Sequence, residues 1–145
     1  MQLPWYISAL AAAVVWGIHY PLLGYALKRL SLASVLALTA LPILLMMPFL
    51  GRALGRDIAL LRAMSPGEAM PILALSVTSL TATVLLFLAI GSKNATLASL
   101  IEISYPVFVA LFAWVMFREV QLTPAVVVGA LLVFSGVGVI IWSNP

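Results

Sequence analysis

The chain has 145 residues, of which 65% are hydrophobic and only 8% charged. A soluble domain of this length cannot hide that much apolar surface, so soluble, nucleic-acid-binding and secreted-scaffold classes fit poorly, whereas lipid covers the outside of a membrane protein. The formal charge of +3 comes from seven basic residues scattered over several connections, with no basic stripe for nucleic acid, and the absence of cysteine excludes disulfides and thiolate metal sites.

Five segments meet the requirement of about 20 mostly apolar residues for crossing a bilayer. They predict an all-α fold: a multi-span transmembrane helical bundle of five helices in a single domain, 1–145. The first segment runs over 4–27, with Trp5 and Tyr6 suited to an interface, His19 and Pro21 inside, and Lys28-Arg29 at its end. It lacks the basic n-region of a signal peptide and is expected to be retained. The second runs over 32–50, with Pro42 inside and Pro48 near its end. The third, 71–90, carries Ser76, Ser79, Thr81 and Thr83, hydroxyls that can bond within their own helix or to a neighbour. Gly91 suits its C-cap. The fourth runs over 95–117 with Asn94 as N-cap. The fifth runs over 123–142, with Pro124 in its first turn. Short turns force the last three to alternate in direction, and a four-span alternative would make one segment re-entrant.

The one long connection, 51–70, places Leu54, Ile58, Leu61 and Met64 at helical spacing among Arg52, Arg56 and Arg62. This predicts a surface helix over 52–64, apolar side down, or else a basic loop. An odd number of spans puts Lys28, Arg29 and Lys93 on one side, and Arg52, Arg56, Arg62 and Arg118 on the other. Three against four favours a cytoplasmic N-terminus only slightly and permits insertion in both orientations.

Function is most legible between Asn94 and Glu119. An acid in an apolar span, Glu102, is costly unless it faces protein or a wet cavity. Pro106 bends the same helix and frees a backbone carbonyl. Such a carboxyl can exchange a proton for a cationic substrate or carry one through a transport cycle; the bland alternative is a neutral packing group. His19 lies about 21 Å along the first helix, so roughly 9 Å from the far face of a core about 30 Å thick. Glu102 enters from that face and lies about 10 Å deep, so the two ionisable residues share a level. Imidazole titrates near physiological pH and suits a proton relay, although His19 can equally serve as a hydrogen-bond donor within the bundle. Ser99 and Tyr105 share a face with Glu102 at spacings of three. With Trp16 and Tyr20 they are candidates to line a substrate cavity, or to pack. Pro21 and Pro106 are the candidate kinks. One His and one Glu make a poor ligand set, so neither a metal nor a cofactor is expected. No nucleophile–base constellation points to an enzyme. Ala125, Gly129, Gly136 and Gly138 make the last helix thin enough for close helix contact.

Trp16-Gly17, the run NATLASLIEISYPVFVALFAWVMFREVQLT over 94–123, and the glycine-rich GALLVFSGVGVII over 129–141 together resemble an EamA-type domain of the drug/metabolite transporter superfamily. Within the long run Ala98, Pro106 and Glu119 carry most of the likeness. The resemblance implies one half of a ten-helix carrier, in which two such domains of inverted topology enclose a cavity and export amino acids, metabolites or drugs. Half a carrier needs a second half: an antiparallel homodimer, as in the small multidrug resistance proteins, a parallel dimer, or a separate partner chain. Those small relatives keep their essential Glu in the first helix, where this chain has His19, so their mechanism does not transfer by position. Glu119, beside Arg118, resembles the family's structural Glu. The expectation is therefore a multi-pass inner-membrane exporter of a metabolite, amino acid or amphipathic compound, dimeric, with proton coupling through Glu102. The alternatives are a non-transporting membrane subunit and a flippase for lipids or lipid-linked sugars.

Overall fold

The computed structural model describes residues 4–120 and 123–144. Gln121 and Leu122 of the family-like run lie outside the described residues. The described chain is helical: α1 Trp5–Leu27, α2 Leu32–Ala63, α3 Pro66–Ser92, α4 Ala95–Glu102, α5 Tyr105–Phe117 and α6 Pro124–Ser143. With α4 and α5 taken as one segment, five helical segments are long and apolar enough to cross a membrane.

Local chemistry sets the helix starts. Ser31 accepts from the Ser34 N–H at 3.3 Å, Asn94 Oδ1 from the Leu97 N–H at 2.8 Å, and Thr123 Oγ1 from the Val126 N–H at 3.3 Å. Each answers a first-turn donor that has no helical partner. At α3, Glu68 Oε2 accepts from the Ser65 backbone N–H (3.0 Å) and hydroxyl (2.6 Å), the return arm of a capping box. This cap starts α3 at Pro66 and leaves Pro71 inside the helix. At the other end of the chain's fourth segment, Arg118 closes α5 in the left-handed region at φ 59°.

Besides this start of α3, expected at 71, two features differ from the sequence expectation. Residues 52–63 do not form a separate helix but continue α2, which is unbroken for 32 residues. Gly51 and Gly55 are the only candidate breakers there, and a helical glycine costs only about 1 kcal/mol relative to alanine. The expected long connection therefore shrinks to Met64–Ser65. At ~1.5 Å per residue α2 is about 48 Å long, well beyond a hydrocarbon core of about 30 Å.

The second difference is a break. The fourth span is two short helices separated at Ile103–Ser104. Pro106 has no N–H, and its ring crowds the carbonyl four residues back, that of Glu102. Ser104 then closes a tighter turn: its N–H and its hydroxyl both donate to the Ile101 carbonyl, at 3.1 and 2.8 Å.

Packing is concentrated at one end of the bundle, where Leu23, Val35, Phe87, Ile90 and Ala98 form the buried cluster. Gly24 lets α1 approach there: a Cβ at this position would already sit 3.6 Å from Ile90 Cγ2 and 3.8 Å from Ala95 Cβ. Helices α1, α3 and α4 make the main contacts, while among the described residues α5 packs far less on the rest. Most other apolar side chains face outward, as a lipid-covered surface requires. Hydroxyls of α3 turn back on their own helix, Thr78 to Ala74 O and Thr81 to Val77 O, so these donors are satisfied without a neighbouring helix.

Candidate functional site

Glu102 is the last residue of α4, at the lip of the break. Its carboxyl accepts a 2.6 Å hydrogen bond from the Tyr20 hydroxyl of α1, a contact between residues 82 positions apart in the chain. An O–H···O contact of this length lies at the short end of the ordinary range. It ties two helices at the level where the backbone ladder of one of them is interrupted.

Around this pair lies a cavity of about 550 Å³. Trp16, Tyr20, Ser99, Glu102 and Tyr105 all line it, together with Gly17 and Thr83. Gly17 has no side chain, so it meets the cavity with backbone. Its carbonyl lies four residues before Pro21, and that of Glu102 lies four before Pro106; neither proline can supply the usual helical donor. Both prolines thus release carbonyls of residues that line the same cavity, although α1 itself stays helical through Pro21.

His19 is placed elsewhere. It lines a neighbouring cavity of about 670 Å³ between α1, α2 and α3, with Thr39, Ser76 and Ser79. Trp16, Thr83 and Leu86 border both cavities. The His19 ring meets Trp16 edge-on at 5.1 Å, and Trp16 lies 5.4 Å from Tyr20, so the ionisable residues connect through aromatics rather than through a shared space.

Thr39, Ser76, Ser79 and Thr83 are lining residues that sequence reasoning did not select as a site. Ser76, Ser79 and Thr83 recur at intervals of three and four, which is the signature of one helix face. Thr39, Ser76, Thr83 and Ser99 donate their hydroxyl protons to backbone carbonyls of their own helices at 2.8–3.0 Å. Each hydroxyl then turns lone pairs outward. With the two released carbonyls and the Glu102 carboxylate, the linings are rich in acceptors. Such a surface suits ligand parts that bring N–H or O–H donors or positive charge, and its aromatic and apolar remainder suits hydrocarbon. Among the described residues no group of three or more His, Asp or Glu is arranged to hold a metal.

Five helical segments long and apolar enough to cross a membrane, one of them interrupted beside a carboxyl, are features found in multi-span membrane carriers. The chain matches the EamA-like transporter family over residues 3–142, nearly its whole length, so it belongs to that family. The family is one of transporters and not of enzymes. No curated protein and no solved structure gives a significant match to the chain.

Proposed function

We propose that this EamA-family transporter exports a metabolite, amino acid or amphipathic compound through the Glu102 cavity, as a dimer, with Glu102 exchanging a proton for the substrate. The observation that carries this proposal is the Tyr20–Glu102 hydrogen bond at the helix break, inside the cavity. In this scheme Glu102 takes either the substrate's donor group or a proton. Tyr20 follows the carboxyl between states, Trp16 and Tyr105 hold the apolar part, and Ser99 orients it. His19 serves as a proton relay in the neighbouring cavity, which borders the Glu102 cavity along Trp16, Thr83 and Leu86. Pro21 and Pro106 are the flexure points about which the two bundles rock.

The dimer is supported by the open side of the cavity. Trp16 is 52% and Tyr105 58% exposed, so one copy does not enclose a substrate. An antiparallel second copy would supply the inverted half, and the near balance of basic residues permits it.

The test is flux in proteoliposomes. Glu102→Gln is expected to preserve assembly and abolish proton-linked flux; full flux with unchanged pH dependence would remove Glu102 from the mechanism. Because the chain has no cysteine, single cysteines placed in the 28–31 turn and near Arg56 report orientation. Half-labelling of whole cells at both sites supports the antiparallel dimer, and one-sided labelling contradicts it.

A further inference from the structure

The basic residues were nearly balanced between the two membrane faces, but the carboxylates are not. Asp57, Glu68 and Glu119 all belong to the face that holds Arg52, Arg56, Arg62 and Arg118. There Arg56 and Asp57 approach to 3.5 Å, and Glu68 is engaged by Ser65. The opposite face has Lys28, Arg29 and Lys93 and no Asp or Glu, so its side chains carry a formal charge of +3 against +1. Those three cations do not spread over their face. They converge on one cavity of about 420 Å³, where the end of α1 meets the turn from α3 to α4.

The cavity has two chemically distinct parts. Its floor is Pro21, Gly24, Ile90 and Ala95, and its rim is basic. Arg29 is held in place at that rim. Its guanidinium lies 3.6 Å over the Tyr25 ring, and one N–H donates to the Tyr25 carbonyl at 3.3 Å. A guanidinium fixed in this way keeps further donors of its fork for an oxyanion, and loses little side-chain entropy when it binds one. Asn94 Oδ1 is engaged by the Leu97 N–H, so it is the amide nitrogen of Asn94 that remains to donate at the same rim. The position, at helix ends, is where lipid phosphates lie.

We propose that this cavity is a binding site for a phosphate group carried on an apolar or glycerol-like body, with Lys28 and Arg29 as its principal ligands and Lys93 adding charge. A phospholipid headgroup at the bilayer surface and a free phosphorylated solute share this chemistry. The site is separate from the Glu102 cavity and does not depend on the transport scheme above.

The experiment uses the purified full chain in phosphatidylcholine vesicles, with and without phosphatidylglycerol, and counts bound phospholipid by native mass spectrometry. The Lys28→Gln/Arg29→Gln double variant is compared with Arg52→Gln/Arg56→Gln, which removes the same charge from the other face. The first is expected to weaken phosphatidylglycerol binding by about 30-fold, the effect of two basic residues at an anionic surface. The second should change it little, and both must elute as the wild type does. Protection of Lys28 from acylation by millimolar inorganic phosphate in phosphatidylcholine alone, lost in Arg29→Gln, would support the site with a soluble phosphate as its source. Equal losses in the two double variants, or no loss in either together with no protection of Lys28 by phosphate, would overturn it.

Discussion

Helix α2 and the fourth span answer the same insult differently. α2 contains Pro42 and Pro48 and continues unbroken; the fourth span contains Pro106 and separates into α4 and α5. A missing donor is therefore not enough to end a helix in this protein. The fourth span also supplies local alternatives to the helical ladder. Ser104 takes the Ile101 carbonyl with both its N–H and its hydroxyl, and Tyr20 holds Glu102 from outside the helix. The residues two before the α2 prolines, Ala40 and Met46, offer no such hydroxyl. A break forms where a lost hydrogen bond coincides with replacements, and here the coincidence falls on the ionisable residue.

That contrast can be broken in order of effect. Pro106→Ala restores a donor at the break and is expected to join α4 to α5. Amide exchange over 103–107 should slow by on the order of 100-fold, in line with ~3 kcal/mol for an interior proline, while flux falls sharply. Pro42→Ala in α2 should leave both helix bounds and flux unchanged, and equal effects of the two substitutions on flux would end the distinction. Tyr20→Phe removes the donor to the Glu102 carboxyl and should destabilise the protein by about 2 kcal/mol in chemical unfolding, within the range for leaving a buried acceptor without its partner. Ser104→Ala has the smallest effect, about 0.5–1 kcal/mol. It should appear as faster exchange at positions 103 and 104 without loss of Tyr20–Glu102 contact.

The spans were legible because a run of apolar residues longer than about 20 has few other uses. The bounds of α2 and α3 were less so. The segment expected as a separate surface helix over 52–64 continues α2, which tolerates Gly51 and Gly55, and the Ser65-x-x-Glu68 capping box marks a start of α3 earlier than the expected 71. The candidate site shows a similar limit. Counting residues gave His19 and Glu102 a common depth, but depth says nothing of direction around a helix axis. His19 and Tyr20 are adjacent in sequence and about 100° apart on the helix, so one faces the α2–α3 cavity and the other faces Glu102. Pairing of the acid with Tyr20 rather than His19 follows from the rotation of α1, which packing sets. The hydroxyl face of α3 was visible as spacing; what it lines depends on the helices opposite.

The length of α2 has a mechanical consequence. Arg52, Arg56 and Arg62 occupy its last turns and resist entering hydrocarbon, so that end stands clear of the bilayer and carries the tight turn into α3 with it. A rod about 48 Å long pivoting at mid-membrane moves its far end by about 6 Å for each ~10° of tilt. The protruding hairpin is thus a lever whose short arm lies beside Thr39 and the His19 cavity. Whatever grips the long arm from the aqueous side gains mechanical advantage over the width of that cavity, and a spin label near Arg56 would register rocking with greater amplitude than one placed within the membrane.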